Sequence, residues 1–496
     1  MYYIGVDLGT SAVKLLLMEG NGKIANIVSK EYPLYFPNPG WSEQKPEDWW
    51  QAVKEGLKEL TEGFDKSQVA GISFGGQMHG LVILDKDDNV IRPAILWNDG
   101  RTQEETDYLN NVIGKDKLSK YTANIAFTGF TAPKILWVKN KEPENFAKIE
   151  KIMLPKDYIA YMLSGSFCTD VSDASGMLLF DVEHKCWSKE MLEICGVKES
   201  QMAKIYESYE VVGTLREEVA AELGLPVSVK VAAGAGDNAA AAVGTGTVSM
   251  SGADEDAMCN ISLGTSGTIF ISSRKFGVDK NNALHAFAHA DGNYHLMGCM
   301  LSAASCNKWW MEEIMQTDAF AKEQEAITDD KLGNNHVYFL PYLMGERSPH
   351  NDANARGTFI GMTMDSSRAD MYQAVLEGVA FAIRDSFEVA KSLGIDIQSS
   401  KICGGGAKSP LWKKIFANVL NIRLDIIESE EGPGYGGAIL AAVACGEYAS
   451  VEEAASKLVK IVDSVEPDSE LAKRYEERYR KFAQIYPTVK ELFPKI

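Results

Sequence analysis

The first thirty residues alternate between apolar runs and short polar turns. Gly9, Thr10 and Ser11 supply turn chemistry between two β-rich runs, which predicts a β-hairpin followed by a third strand. The pattern becomes helical in PEDWWQAVKEGLKEL (46–60), where a first-turn proline precedes one stripe of large apolar residues. A buried strand, VAGISFGG (69–76), then runs into another glycine turn. The first three predicted strands are Tyr2–Val6, Leu15–Met18 and Lys23–Val28.

The tetrapeptide LGTS occurs twice, at Leu8–Ser11 and at Leu263–Ser266. A strand-like run precedes each copy, and a second one follows it, at Thr268–Ser272 in the later copy. A helix is then predicted at Asn307–Met315. The same order of strand, hairpin and helix predicts a duplicated α/β unit. An acid, Asp7, precedes only the first copy.

Three further segments share the layout of an apolar strand, a glycine-rich turn and a helix. They are residues 229–246, 399–420 and 424–446. Glycine-rich turns at a helix N-terminus are suited to binding phosphate. The small and acidic stretch Gly246–Asp256 predicts a boundary between an N-terminal domain, residues 1–247, and a C-terminal domain, residues 248–496. Near the C-terminus, Tyr475, Tyr479 and Phe482 share one face of a predicted packing helix.

Composition and charge narrow the class of protein. The chain is 45% hydrophobic and 24% charged, as in ordinary globular proteins, and its 496 residues favour two domains. A net charge of −19 argues against a nucleic-acid partner. Apolar stretches such as Ala438–Cys445 are too short to span a membrane, and no signal peptide is expected. The eight cysteines are scattered without a CxxC pair, which predicts buried, reduced thiols and a cytoplasmic location.

Several phosphate-binding motifs are missing. The sequence has no P-loop and none of the signature motifs of protein kinases. The stretch Gly432–Gly437 matches G-x-G-x-x-G, but it comes late in the chain, so an NAD-dependent enzyme is a minor alternative. A duplicated hairpin with one acid is similar to the layout of the actin-like ATPase fold, with two ribonuclease H-like domains facing across a cleft. In that layout each hairpin contacts the nucleotide phosphates, and one carboxylate suffices for Mg²⁺.

Within that fold the sequence resembles the FGGY carbohydrate kinases, and most closely the members that phosphorylate D-xylulose. The resemblance runs over nearly the whole chain. The stretches that carry it are GVDLGTSAVK (5–14), GWSEQKPEDWW (40–50), GISFGGQMHGLVILD (71–85), ILWNDGRT (95–102), LPKDYIAYMLSG (154–165), DVSDASGMLLFD (170–181), AGAGDNAAAAVG (233–244), SLGTSG (262–267), GERSPHNDANARG (345–357) and CGGGAKSPLWKKIFANVL (403–420).

Asp237 is the candidate catalytic base. It lies where a predicted strand ends and an alanine-rich helix begins, so the residues alone allow either a helix N-cap or a base near a substrate hydroxyl. The resemblance implies the base, with Asn238 as a sugar contact. It also implies that Asp7 and Asp237 serve the magnesium ion. Taken alone, Asp7 could be a turn acid, but the duplicated hairpin favours a metal role.

The resemblance implies a nucleotide site made of both LGTS turns and a later glycine loop. Lys14 could instead be a solvated strand lysine, and Ser409 could cap the following helix. Tyr435 departs from the family pattern and is expected to add bulk near the nucleotide. The implied nucleotide-binding residues are Thr10, Ser11, Lys14, Gly264, Thr265, Gly404, Gly405, Gly406 and Ala407.

The implied sugar site lies after two predicted strands of the first domain. Met78-His79 resembles the pair found in kinases of D-xylulose, whereas the related glycerol kinases carry Arg-Glu, which favours a ketopentose. A structural salt bridge would explain Asp99 and Arg101 equally well. The implied sugar-binding residues are Gln77, Met78, His79, Trp97, Asp99, Arg101, Asp237 and Asn238.

The expected activity is the transfer of phosphate from ATP·Mg²⁺ to D-xylulose, giving D-xylulose 5-phosphate. Other acceptors (ribulose, L-xylulose, erythritol or gluconate) and a non-catalytic sugar- and ATP-binding regulator remain alternatives. The resemblance also implies a possible homodimer. His285 and His289 have a spacing that can bind zinc from a helix, but their segment alternates like a hairpin, so a metal site is not expected there. Glu346 and Arg347, in GERSPH, are expected to be mainly structural.

Overall fold

A computed structural model describes residues 1–250, 257–429 and 431–496. The first half of the chain forms a mixed sheet in the order β5-β6-β4-β1-β2-β3, with β7 also on β4. The strands β1 to β3 are antiparallel, and β1, β4 and β6 are parallel. The strands are β1 (Tyr2–Leu8), β2 (Ala12–Glu19), β3 (Ile24–Glu31), β4 (Val69–Gly76), β5 (Val211–Thr214), β6 (Lys230–Ala232) and β7 (Ala235–Gly236).

The second half repeats this arrangement in the order β10-β11-β9-β8-β12-β13-β14. An antiparallel group of strands again leads into parallel strands, β8, β12 and β13, and an antiparallel strand closes the edge. The duplicated α/β unit predicted from the sequence is therefore confirmed. The strands are β8 (Cys259–Leu263), β9 (Gly267–Ser273), β10 (His285–Ala288), β11 (Tyr294–Met300), β12 (Ser399–Cys403), β13 (Arg423–Ile427) and β14 (Ile461–Val465).

The two LGTS turns close at different lengths. Leu8 pairs with Val13 across the first turn, whereas Leu263 pairs with Gly267 across the second, so the first turn holds one more residue. The shared tetrapeptide therefore does not impose the same loop. The Asp7 position of the first copy is occupied by Ser262 in the second.

Helices cover both sheets. They include α1 (Pro46–Leu60), α2 (Thr131–Lys141), α3 (Pro155–Ser164), α4 (Asp237–Gly244), α5 (Ala304–Trp309), α6 (Arg368–Ser392), α7 (Pro410–Leu420), α8 (Gly432–Cys445) and α9 (Ser469–Val489). Further α-helices are Gln103–Asp107, Lys115–Thr122, Pro143–Phe146, Val171–Ala174, Lys189–Cys195, Glu217–Leu223, Phe320–Gln324 and Val451–Leu458. Short strand pairs join Glu43–Gln44 to Ala94–Ile95, Val82–Leu84 to Lys151–Met153, Cys168–Asp170 to Lys204–Tyr206, Phe180–Asp181 to Cys186–Trp187, and Tyr338–Leu340 to Thr358–Ile360.

The predicted helices differ from the observed ones in small ways. Three residues of the stripe predicted for α1, Trp49, Val53 and Leu57, are fully buried, whereas the fourth, Trp50, is only partly buried. The helix expected at Asn307–Met315 begins earlier, at Ala304, and continues as a wider π-helical turn to Ile314. The C-terminal helix buries the aromatic face predicted for it. Cys186 is exposed, so the expectation of uniformly buried cysteines is wrong.

Helix α8 comes from the second half of the chain but packs on the first sheet, beside α4. Glycines allow this close approach. A Cβ on Gly5 would lie 1.8 Å from the carbonyl oxygen of Gly434, and one on Gly436 would lie 1.8 Å from that of Ala240. Backbone therefore meets backbone on both sides of α8. The predicted boundary segment, Gly246–Asp256, falls partly outside the described residues, because 251–256 are not among them.

In the part of the chain that the structure describes, no helix is long and apolar enough to cross a bilayer.

Candidate functional site

The first LGTS turn places an acid opposite a lysine. Asp7 on β1 pairs in register with Lys14 on β2, so both side chains leave the same face of the hairpin. Burial and the carboxylate of Asp237 raise the pKa of Asp7 to about 7; Lys14 opposes the rise and Glu431 adds to it. Lys14 Nζ donates a 3.0 Å hydrogen bond to Glu431 Oε2. Four ionisable side chains therefore interact electrostatically around this turn.

Asp237 is the first residue of α4, and Gly236 occupies the N-cap position. The helix-cap alternative for Asp237 is therefore wrong. Its Oδ1 accepts hydrogen bonds from the backbone N of Asn238 at 2.7 Å and from the Asn238 Nδ2 at 3.0 Å. Burial raises the pKa of Asp237 to about 6, against the lowering effect of the Asn238 backbone N–H. The carboxyl group is thus largely ionised at neutral pH and can take up a proton.

Two helix N-termini converge on these carboxylates. Helix α4 begins at Asp237, and α8 begins at Gly432. A Cβ added to Gly434, in the first turn of α8, would lie 3.8 Å from the Cβ of Asp7. Helix N-termini carry partial positive charge and unsatisfied N–H groups. The arrangement can therefore stabilise negative charge that is brought between the first turn and the two helices.

Thr10 connects the expected nucleotide site to the expected sugar site. Its hydroxyl accepts a 3.0 Å hydrogen bond from Trp97 Nε1 and lies 3.4 Å from Gln77 Oε1. Gln77 Nε2 in turn donates to the carbonyl oxygen of Gly9 at 3.3 Å and to Gln44 Oε1 at 3.1 Å. Trp97 is nevertheless 47% exposed. The face of its indole is therefore accessible, while its Nε1 is hydrogen-bonded to the first turn through Thr10.

His79 has a left-handed backbone, with φ of 69°. Its Nδ1 lies 2.8 Å from the carbonyl oxygen of Gly176, which can only accept, so Nδ1 carries the proton. The ring stacks on Phe130 at 4.7 Å. Burial and the charge of Lys134 lower the pKa of His79 to about 3. The imidazole is therefore neutral, and its Nε2 can accept a hydrogen bond from a hydroxyl group.

Side chains of α2 hold the backbone at His79 by hydrogen bonds to its carbonyl oxygen. Lys134 Nζ donates to the carbonyl oxygens of His79 at 2.8 Å and Gly129 at 2.6 Å, and the Thr131 hydroxyl also donates to His79. Met78, next to His79, is buried, and its Sδ lies 3.9 Å from Asn238 Nδ2. The Met78-His79 pair is thus adjacent to the loop that carries Asp237.

Asp99 and Arg101 form a buried ion pair. Arg101 Nη2 lies 2.7 Å from Asp99 Oδ2, which also accepts a 2.5 Å hydrogen bond from the backbone N of Ser42. The guanidinium lies 3.7 Å above the ring of Trp41 and 2.8 Å from Glu43. The side chains of Asp99 and Arg101 are 0% and 1% exposed. These contacts match the structural salt bridge that the sequence left open.

The second turn packs directly against the glycine loop that follows β12. Gly404 has φ of 90°, and a Cβ there would lie 2.8 Å from the carbonyl oxygen of Leu263. A Cβ on Gly406 would lie 2.9 Å from the Cβ of Leu263, whereas Gly405 faces open space. Thr265 is exposed. Glycines therefore bring the two expected nucleotide segments of the second half together and leave one of them accessible.

Ser409 caps α7, because its Oγ accepts a 3.1 Å hydrogen bond from the backbone N of Trp412. The capping alternative for Ser409 is thus confirmed. The Tyr435 hydroxyl lies 3.1 Å from the carbonyl oxygen of Gly22 and 3.3 Å from that of Leu458. The bulk of this side chain therefore lies beside the turn between β2 and β3.

His285 and His289 lie in and just after β10, which pairs with β11, so the predicted hairpin is confirmed. His289 Nε2 donates to the carbonyl oxygen of Thr247 at 2.9 Å, and its Nδ1 accepts a hydrogen bond from Ala290. Across the described residues, no group of three or more His, Cys, Asp or Glu side chains is placed to hold a metal ion.

Sequence reasoning missed two residues of the site and gave a third no part in it. Glu431 contacts Lys14, and its signal was the acidic stretch before the GPGYGG turn. Lys134 holds the His79 backbone, and nothing in its helical pattern set it apart. Arg347 was expected to be mainly structural. Its guanidinium lies over the ring of Phe127, which packs against Phe130, the ring that stacks on His79.

Comparisons with known proteins agree over nearly the whole chain. Residues 2–244 match the family model of the N-terminal domain of the FGGY family of carbohydrate kinases, and residues 259–445 match that of the C-terminal domain. Xylulose kinase of Escherichia coli K12 is 40% identical over 486 residues, covering 98% of each chain. The crystal structure of a xyloylose kinase from Brucella ovis is 38% identical, with a TM-score of 0.92 over 99% of this chain and all of that one. Gluconate kinase from Lactobacillus acidophilus is 28% identical, with a TM-score of 0.93, over 100% and 99% of the two chains.

Proposed function

The chain belongs to the FGGY family of carbohydrate kinases, and from this membership we propose that it transfers the γ-phosphate of ATP to D-xylulose, with Asp237 as the general base. The observation that carries the choice of acceptor is the Met78-His79 pair beside Asp237. Several curated relatives named xylulose kinase, at 36–40% identity over nearly the whole chain, support it.

Asp237 is suited to take the proton of an attacking hydroxyl group. Its pKa of about 6 leaves it ionised near pH 7 but basic enough to accept a proton as the oxygen attacks phosphorus. Oδ1 is held by Asn238, so the orientation of the carboxylate is fixed before the substrate arrives. The base therefore needs little reorganisation in the transition state.

The transferred phosphoryl group would lie between the first turn and the N-termini of α4 and α8. Lys14 and the helix N–H groups can stabilise the charge on its oxygens. Asp7 and Asp237 fit Mg²⁺, because they are hard oxygen donors close enough for the charge of one to raise the pKa of the other. When bound there, Mg²⁺ would supply positive charge beside the phosphates. The phosphates themselves would complete its ligand set.

The sugar would lie against Met78, His79 and Trp97. Neutral His79 can accept a hydrogen bond from a sugar hydroxyl, and the Asn238 amide adds a polar contact next to the base. The indole of Trp97 offers an apolar face of the kind that packs against the C–H side of a sugar. The link from Trp97 through Thr10 to the first turn would couple the position of the sugar to that of the phosphates.

The acceptor is tested by ADP release with Mg-ATP and a panel of D-xylulose, L-xylulose, D- and L-ribulose, glycerol, erythritol and gluconate. We expect the highest kcat/KM with D-xylulose. Gluconate has a specific reason to be in the panel, because the gluconate kinase from Lactobacillus acidophilus shares the fold at a TM-score of 0.93. A clear preference for gluconate would make gluconate the acceptor, and Asp237 would remain the proposed base. Bound ATP without any sugar-dependent release would favour a non-catalytic regulator.

A further inference from the structure

Arg347 reaches from the second half of the chain to the aromatic layer behind the sugar site. Its guanidinium carbon lies 5.3 Å from the ring centre of Phe127. Phe127 packs edge-on against Phe130 at 5.4 Å and against His285 at 5.2 Å. Phe130 in turn stacks on His79 at 4.7 Å. One continuous set of rings therefore connects Arg347 to the histidine expected to bind the sugar.

The charge of Arg347 has no partner of opposite sign in the described part of the chain. Its side chain hydrogen-bonds Cys299, which is not ionised near neutral pH because burial raises the pKa of that thiol. The adjacent carboxyl group of Glu346 does not neutralise it either, since burial raises the pKa of Glu346 to about 8. His79 and His285 are also neutral, because burial, with the charge of Arg347 adding to it, lowers both pKa values. A cation that faces neutral groups favours an oxygen-rich ligand.

The backbone around Arg347 is fixed, so the direction of its side chain is set in advance. Glu346 Oε1 accepts hydrogen bonds from the backbone N of Leu301 at 3.0 Å and of Arg347 at 2.8 Å. Ser348 N donates to the carbonyl oxygen of Cys299 at 2.9 Å, and Cys299 N donates to the Ser348 hydroxyl at 3.0 Å. The segment is thus held against the end of β11. A guanidinium that is positioned before binding loses less entropy when it binds.

We propose that Arg347 binds oxygen atoms of the acceptor sugar, so that the second half of the chain supplies a contact to a pocket otherwise built by the first half. The inference rests on the proposed function and adds a sugar-specificity residue to it. Burial raises the pKa of the Cys299 thiol, the charge of Arg347 opposes the rise and the charge of Asp237 adds to it, so the cation and the base both act on this one side chain. The body of the sugar would therefore extend from Asp237 towards Arg347.

The test compares Arg347→Met and Arg347→Lys with a matched control, Arg368→Met. Arg368 also lies in the second half, but it pairs with Glu323 on the exposed surface. For each variant, kcat and KM are measured separately for D-xylulose and for Mg-ATP, and Tm is recorded. Arg347→Met should raise the KM for D-xylulose by about tenfold or more, the effect of one lost charged hydrogen bond, with the KM for Mg-ATP within about twofold. Arg347→Lys should fall between it and the wild type, and the control should match the wild type.

Three results for Arg347→Met overturn the inference. An unchanged KM for D-xylulose in Arg347→Met would show that Arg347 does not bind the sugar, and a lowered Tm alone would give it a structural role. A fall in kcat at unchanged KM would assign it to the transferred phosphoryl group. If the wild type prefers another acceptor of the panel, the proposed acceptor fails separately, and the same comparison with that acceptor decides the role of Arg347. A wild type that phosphorylates no sugar overturns both.

Discussion

Lys14 and Glu431 are 417 residues apart in sequence and are joined by a hydrogen-bonded ion pair of 3.0 Å. The pair connects the first turn to the segment that leads into α8. Both side chains are partly exposed, at 44% and 31%, so the pair adds less than about 1 kcal/mol to stability. The pair matters for function, because Glu431 accepts a hydrogen bond from the Lys14 ammonium group, which we expect to bind the γ-phosphate.

Glu431→Gln should strengthen the binding of a non-hydrolysable ATP analogue by about twofold to fivefold, since a competing carboxylate is removed from Lys14. Calorimetric titration in the presence of Mg²⁺ measures this. Glu428→Gln is the matched control, because Glu428 pairs with Lys460 on the exposed surface nearby. Weaker binding by Glu431→Gln would contradict the account and show that Glu431 helps to hold the nucleotide or its metal ion.

The activity should depend on pH through Asp237 and Asp7. Asp237 must be ionised to accept the proton, and Asp7, with a pKa of about 7, must be ionised to hold Mg²⁺. We therefore expect kcat/KM for the sugar to start falling near pH 7 and to fall by at least tenfold per pH unit below pH 6. His79 should not contribute between pH 5 and 8, because its pKa of about 3 keeps it neutral throughout. A kinetic pH profile with wild type and a His79 variant tests both statements. If the acid side of the profile shifts when His79 is replaced, His79 is the titrating group and the account is contradicted.

Asp173 should tolerate replacement by asparagine. It is fully buried, neither carboxylate oxygen has a hydrogen-bond partner, and burial raises its pKa well above the usual value. Three carboxylates share the one ammonium of Lys156, which lies 2.7 Å from Asp157 and 2.9 Å from Asp170 but 3.7 Å from Asp173. The raised pKa means that the folded protein favours the uncharged form of Asp173, so we expect Asp173→Asn to keep near-normal activity.

The raised pKa of Asp173 gives the pH dependence of stability a definite sign. A folded-state pKa above the unfolded value means that the folded protein binds the extra proton, so stability falls as pH rises from about 4. Asp173→Asn should therefore gain stability relative to the wild type as pH increases, measured by denaturant unfolding at pH 5 and pH 8. Asp170→Asn is the contrasting variant and should lose about 3 kcal/mol, because it breaks the buried pair with Lys156. Equal losses for both variants would contradict this assignment.

His79 combines an unusual backbone with a binding role, and the two can be separated. His79→Asn keeps a residue that tolerates the left-handed conformation but loses the ring stack and the Nε2 acceptor. We expect the KM for D-xylulose to rise about tenfold or more with little change in Tm. His79→Val should in addition lose about 1–3 kcal/mol of stability from backbone strain. An unchanged KM in His79→Asn would remove His79 from the sugar site.

The strands and turns around the first LGTS turn could be predicted because their sequence signals are local. The hairpin of β1 and β2 follows from two β-rich runs around Gly9, and the repeat of LGTS correctly indicated the second sheet. The placement of α8 could not be predicted in the same way, since it depends on contacts between residues more than 400 positions apart, such as Gly5 and Gly434. The glycines of its first turns were read as a phosphate loop, but they also allow close packing.

The site residues show the same division. Asp237 could be found from its loop, but whether it capped the helix depended on a one-residue difference in where α4 begins. Asp99 and Arg101 form a polar cluster in sequence, and only their burial with Ser42 and Glu43 shows how fully other residues engage them. Glu431 and Lys134 act through partners distant in sequence. The acidic stretch around Glu431 did not show that it contacts Lys14, and no local pattern set Lys134 apart.

The central claim is that Asp237 is the base for phosphoryl transfer to D-xylulose. The most direct test is the rate of D-xylulose-dependent ADP release by Asp237→Asn compared with the wild type at pH 7.5, with ATP-analogue binding measured on the same samples. The account predicts a loss of kcat of about 10²-fold to 10⁴-fold with analogue binding within a few-fold of wild type. A variant that retains most of its turnover would contradict the assignment of the base.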